Sequence, residues 1–262
     1  LYSSGIDISN PVFMQNLMYK FQTEGFKTTV NNFENNLPTL LSQSGIEIPE
    51  ELNEILPGFP VKIPEKLDYI AELKKLGYYK NEDKNDRNVK SKDMEAVMLR
   101  NAVLRFQSSS NITVTGKWDE NCLEKLVQRL ILGKDICKDT IGTPPSSSKW
   151  IVINKTKRIL TLYDNTTIVK KYPIAIGNPP SLTPEGKFTI GSKVINPAWG
   201  GGGYAKPVKG GVPENPLGYR WLGILYKGNS SSIGIHGNNS PFSIGTNVSH
   251  GCIRMINSDV EE

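Results

Sequence analysis

The spacing of apolar residues changes character once along the chain, and that change predicts its organisation. Between Ile63 and Leu132 the spacing is helical. Leu67, Ile70, Leu73 and Leu76 mark a first predicted helix that opens at Pro64 and closes at Gly77. A second is predicted over 91–107, with Met94, Val97, Met98 and Val103 as its apolar positions. A turn through Thr115-Gly116 leads to a third over 119–132, carrying Cys122, Leu123, Leu126, Val127 and Leu130. Three short helices with tight turns make a small all-α module, assigned to residues 63–140. Residues 1–62 alternate short amphipathic stretches with Pro-containing turns and read as helices and loops without an evident role.

Residues 141–149, I-G-T-P-P-S-S-S-K, form a Pro/Ser linker that cannot build a core. Beyond it the period becomes two. Short β-branched or aromatic runs at 150–153, 159–163, 167–172, 174–176 and 222–226 read as strands, with Asp164-Asn165 as a hairpin turn. Ile233-Gly234-Ile235 is a further short strand that delivers His236. No helix of useful length is expected before residue 258, where Ser258-Asp259-Val260-Glu261 reads as a capping box. The expected class is α+β multidomain: a helical N-terminal region, then a mostly-β sandwich or open barrel over 150–262.

Composition narrows this picture. With 37% apolar and 22% charged residues among 262, the chain can form a packed core rather than a disordered coil. No run of 18 apolar residues suggests a membrane span. The chain opens on Leu1 without a leader, so it is expected to be a mature or excised piece, with room upstream for a membrane anchor. Lys and Arg exceed Asp and Glu by five overall, yet residues 1–149 carry a net −1 and residues 150–262 a net +6. An anionic partner is therefore expected in the second half. The lysines are scattered along strand-like segments with no basic helix, which argues against nucleic acid.

Of three cysteines, Cys122 either extends a helix stripe as a small hydrophobe or bridges to Cys137. Cys252 stands apart. The only two histidines, His236 and His250, lie within sixteen residues of it, in I-H-G-N-N-S-P-F-S-I-G-T-N-V-S-H-G-C-I-R-M. A thiol needs a neighbouring base or positive charge to act as a nucleophile near neutral pH, and this cluster offers both. Gly251 lets backbone approach a substrate, so nearby amides could receive an oxyanion. Zinc is the competing reading of two His and one Cys, but no H-E-x-x-H or C-x-x-C pair supports it, and no metal is expected. Gly200–Gly203 lacks the Lys-Ser/Thr that a phosphate loop requires. The surrounding stretch, 197–213, holds Trp199, Tyr204 and two lysines, and reads either as a lid or as a surface excursion.

These residues match a known pattern. The stretch from Trp150 onward resembles the catalytic domain of bacterial L,D-transpeptidases through His236-Gly237 and Ser249-His250-Gly251-Cys252-Ile253-Arg254. Thr183-Pro184-Glu185-Gly186-Lys187-Phe188 and Asn215-Pro216-Leu217-Gly218-Tyr219-Arg220-Trp221 support it, in order. Leu76-Gly77-Tyr78-Tyr79, Ala102-Val103-Leu104-Arg105-Phe106-Gln107 and Val114-Thr115-Gly116-Lys117-Trp118 resemble the three-helix peptidoglycan-binding domain. The resemblance implies Cys252 as nucleophile, His236 as its base and the Gly237 carbonyl as orienter of that base. It implies amides around Gly251 and Cys252 as the oxyanion hole, with His250 a weaker candidate base. Arg254 would position the loop or a substrate carboxylate, and Ser249 would support the turn. The implied substrates are peptidoglycan stem peptides and glycan, the implied inhibitors are carbapenem β-lactams, and no cofactor is needed. The implied location is extracellular, at the cell wall. Family domains continue past residue 262, so the C-terminal end is expected to be cut. A cysteine peptidase and a non-catalytic wall-binding protein are the alternatives. The first usually places Cys before His, the reverse of the order here.

Overall fold

The computed structural model describes residues 68–132 and 148–262. The expectations for residues 1–62, Pro64, Cys137 and linker positions 141–147 lie outside the described residues. Two compact units divide the chain: residues 69–123 with 136–262, and residues 1–68 with 124–135. The first holds most of what is described.

All three predicted helices form. Helix α1 spans Tyr69–Lys75 and ends in a Schellman turn, with Tyr78 N–H donating to Leu73 O and Gly77 N–H to Lys74 O. Helix α2 spans Met94–Ser109 and is preceded by two 3-10 turns, Asn81–Asn85 and Ser91–Asp93. Helix α3, Glu120–Leu132, is capped by Asp119, whose carboxylate accepts the Cys122 N–H at 2.9 Å. Cys122 is a buried free thiol, and burial pushes its pKa up to about 11.

The second half folds as one sheet: β1 Lys149–Asn154, β2 Ile159–Asp164, β3 Thr167–Gly177, β4 Thr189–Ile195, β5 Arg220–Tyr226, β6 Asn229–His236, β7 Asn247–Ser249 and β8 Ile253–Met255. A short helix α4, Asn257–Glu261, follows. The strand order is β1-β2-β3-β8-β6-β5-β4, with β7 beside β3, so the path is open and has β1 and β4 at its edges. Pairing is antiparallel except for β3 with β7 and β6 with β8.

The two strands expected at 167–172 and 174–176 are one. Pro173, the residue between those two runs, sits where β3 leaves β2 and begins to pair with β8, so its missing N–H falls at the change of partner. Around it, Tyr172, Ile174 and Ile176 join Leu160, Ile224, Ile235, Ile253 and Met255 in one core. Ala175 points the other way, into a cluster with Leu104 of α2, Val114, Ile159, Ile244 and Ile256. Residues 171–177 are therefore buried on both faces, because α2 covers the face opposite the main core. Strand β4 went unrecognised because all seven of its residues are exposed, and an edge strand facing water needs no alternation.

The capping-box reading of 258–261 is corrected. Ile256 is the N-cap of α4 and makes no side-chain cap, so Ser258 lies inside the first turn. Its hydroxyl donates to Asp83 instead. Asp83, Arg105 and Asp259 are all buried. Arg105 reaches Asp83 through Nη1 at 2.7 Å and Nη2 at 2.8 Å, and Asp259 through Nε at 3.0 Å. Lys80 donates to Asp259 at 2.8 Å. Burial works against the charge on Asp83, but the hydrogen bonds and charge of Arg105 outweigh it and hold the carboxyl below its ordinary range.

Arg105→Met would leave two buried carboxylates without their shared cation. The expected loss is about 3–5 kcal/mol, seen as a lower urea midpoint with an unchanged m-value.

Candidate active site

The site is assembled where the parallel pair β6–β8 places its C-terminal residues. Ile235 stands opposite Ile253 and His236 opposite Arg254. Extending that register backwards sets Cys252 beside Gly234. Because side chains alternate along a strand, Cys252, Arg254 and His236 share one face. Trp221, opposite His236 on β5, stacks on the imidazole with ring centroids 5.7 Å apart.

His236 is buried, and its Nδ1 lies 2.7 Å from Gly237 O. A carbonyl oxygen only accepts, so the proton is on Nδ1 and Nε2 is the free base. Burial pushes the imidazole pKa down to about 4, the charge of Arg254 adds to that push, and the carbonyls of Gly237 and Leu217 oppose it. Burial likewise pushes the Cys252 thiol up, against the Gly234 N–H and Arg254, both of which favour a thiolate. The resting pair is a thiol and a neutral imidazole. In this arrangement Sγ donates to Ser232 O at 3.6 Å.

The turn carrying the thiol is fixed by polar pins. Gly251 adopts φ +113°, and a Cβ there would lie 2.8 Å from Ile233 Cδ1. Thr183, buried, accepts the Gly177 N–H at 2.8 Å and donates to Gly251 O at 2.9 Å. Ser249 donates to Cys252 O at 2.5 Å and accepts the Gly251 N–H at 3.2 Å. Ser249 thus spans the turn and takes up the Gly251 amide, one of those the resemblance offers to an oxyanion. Arg254 has a buried Nε with no hydrogen-bond partner, and its guanidinium acts electrostatically on Cys252 and Tyr204. His250 is exposed and bears on the site through Tyr204.

The stretch 197–213 is a small hairpin. Trp199 and Val208 exchange backbone hydrogen bonds of 2.9 and 2.8 Å. Asn215, fully buried, closes the base by donating to Pro197 O and Lys209 O. Tyr204 lies on His250 with centroids 4.9 Å apart, its hydroxyl 3.4 Å from Nδ1, and Trp199 meets Tyr204 edge-on.

Sequence reasoning missed Asn238 and Asn257 as parts of the site. Asn257 Oδ1 accepts the Asn238 N–H at 2.9 Å and its Nδ2 donates to Asn238 O at 2.8 Å. A Cβ on Gly237 or Gly218 would lie 2.1 or 2.3 Å from that same Oδ1, so both glycines make room for the carboxamide. The absence of side chains beside His236 was the legible signal. Among the described residues no group of three or more His, Cys, Asp or Glu could hold a metal, and no helix is long and apolar enough to cross a membrane.

In the unfolded chain His236 would take its proton near ~6.5, but in the fold only at about 4. Between these values the unfolded state binds more protons, so stability falls as pH drops from about 6.5 to about 4. Calorimetry should show the melting midpoint falling across that window, and less steeply in His236→Gln.

Two family models match the chain: "L,D-transpeptidase catalytic domain" over residues 148–262 and "Putative peptidoglycan binding domain" over residues 71–126. "Putative L,D-transpeptidase YqjB" of Bacillus subtilis is 39% identical over 118 residues, covering 45% of this chain and 65% of that protein. "Putative L,D-transpeptidase YkuD" of the same organism is 36% identical over 133 residues, covering 51% of this chain and 69% of the relative. The chain thus spans about two thirds of the length of these relatives. Among solved structures, the catalytic domain of an E. faecium L,D-transpeptidase acylated by ertapenem is similar over 44% of this chain and 85% of that one, at 22% identity and a TM-score of 0.34.

Proposed function

Because the chain belongs to the L,D-transpeptidase family, we propose that it cross-links peptidoglycan stem peptides by cysteine acyl transfer. The observation that supports this most directly is the shared face of β6 and β8. It carries the thiol, a buried imidazole with its tautomer set by Gly237 O, and a guanidinium whose Nε is unpartnered. His236 Nε2 accepts the Cys252 proton as Sγ adds to the carbonyl of the third stem residue. The bond to the terminal D-alanine then breaks, and His236 returns the proton to the leaving amine. A side-chain amine of a neighbouring stem attacks the thioester, and its proton passes through His236 to the departing sulfur, giving a 3→3 cross-link. Water in place of the amine gives a trimmed stem.

The neutral resting pair suits this cycle. Two neutral groups cost less to bury than a thiolate and an imidazolium, and proton transfer is coupled to attack rather than completed beforehand. Arg254 binds a stem carboxylate, which also answers the positive charge of residues 150–262. The helical segment matching the peptidoglycan-binding model fits work at the cell envelope. Mass spectrometry of defined muropeptides tests the reading. Cross-linked dimers are expected from the parent chain and none from Cys252→Ala, and dimers from that variant would overturn the mechanism.

The same thiol should open a strained β-lactam. A carbapenem is expected to add once per chain, on Cys252 and not on the buried Cys122. Intact-mass and peptide mapping would read both points.

Tyr204, resting on His250, makes the hairpin 197–213 a cover over the acyl-enzyme, excluding water in favour of the amine. Tyr204→Ala is expected to shift muropeptide products from dimers towards trimmed stems while the carbapenem adduct still forms. An unchanged product ratio would remove the hairpin from catalysis.

A further inference from the structure

The segment 83–88, between α1 and α2, belongs to the stretch matched by the peptidoglycan-binding model, yet its Asp86 and Asn88 reach residues beside the catalytic strand ends. Asp86 Oδ2 accepts from Asn257 Nδ2 at 3.0 Å, and Asp86 Oδ1 accepts the Asn88 N–H at 3.0 Å. Asn88 Nδ2 donates to Asn238 O at 2.9 Å. Asn257 grips both backbone groups of Asn238, and Asn238 Nδ2 donates in turn to Met255 O at 2.7 Å at the end of β8. Between Asp86 and Asn88, Arg87 donates to Gly211 O at 3.1 Å in the hairpin base and lies 5.0 Å over the Tyr219 ring.

Asn238 is the residue after Gly237, and Gly237 O is the atom that holds His236 Nδ1. A carbonyl direction is set by the peptide plane that follows it, here the plane ending at the Asn238 N–H. Asn257 fixes that N–H, and Asp86 fixes the amide orientation of Asn257, because only its Nδ2 face can donate to a carboxylate. Two hydrogen bonds, one peptide plane and a third hydrogen bond thus link Asp86 to the imidazole.

We propose that Asp86 and Asn88 are positioning residues for His236, acting through Asn257 and Asn238, so that the helical module is a working part of the catalytic centre as well as a candidate wall-binding element. The proposal rests on His236 being the base. It assigns this stretch of the module a role separate from ligand binding.

The test is the second-order rate of Cys252 acylation by a carbapenem on the full chain, well below each variant's melting temperature, with 15N spectra of the imidazoles. Displacing the base orienter should slow Asp86→Ala about ten- to a hundredfold and relax the His236 tautomer from Nδ1–H. Asp86→Asn keeps an oxygen acceptor for Asn257 and should restore both rate and spectrum. Asn88→Ala, at a half-buried position, should show the same slowing in milder form and serves if Asp86→Ala does not fold. Parent rates and an unchanged imidazole spectrum in Asn88→Ala and any folded Asp86→Ala would overturn the proposal. Full acylation in His236→Gln would instead overturn the assignment of the base, and the proposal with it.

Discussion

The arrangement depends on one buried cation. Arg105 enters from the C-terminal part of α2 and meets two carboxylates, Asp83 ahead of that helix and Asp259 on α4, far along the chain. None of these charges could remain buried alone, because desolvation of an isolated ion outweighs any single contact. Together, with Lys80 and Ser258 filling the remaining positions, they hold 83–88 against residues 257–259. Apolar packing of Leu104 with Ala175, Ile244 and Ile256 brings these surfaces into contact. Oily contacts tolerate sliding, whereas directed hydrogen bonds set the register.

From that fixed register the reactive centre inherits its geometry. β8 and α4 are too short to hold a position by their own hydrogen bonds, yet the thiol precedes one and Asn257 opens the other. Their placement comes from outside: Thr183 on Gly251 O, Ser249 across the turn, Asn257 on Asn238. The pins are buried or nearly so, where hydrogen bonds face little competition from water. The same burial favours the uncharged forms of His236 and Cys252 and leaves Arg254 Nε beside them without a hydrogen-bond partner. Burial of this kind works against a standing thiolate.

The sequence by itself determined the helices and most strands, because their apolar periods are written in adjacent residues: Leu73, Val97 and Val103 on helices, Leu160 to Tyr163 on a strand. It also nominated Cys252, His236 and Gly237, since two histidines and a glycine-flanked cysteine are a conspicuous local grouping. Tertiary structure alone decided what long-range partners impose. The stretch 167–176 reads as two strands until β8 is beside Ile174 and Ala175, and Ser258 reads as a cap until Asp83 takes its hydroxyl. Gly251 reads as an amide donor until Ser249 claims it. Asn238, Asn257 and Asp86 look like ordinary polar loop residues, and only folding brings their amides and carboxylate into one line ending at the imidazole. The physical reason is the range of the interactions: hydrophobic periodicity is a property of neighbours in sequence, whereas a hydrogen bond exists only when distant backbone has already delivered both its partners.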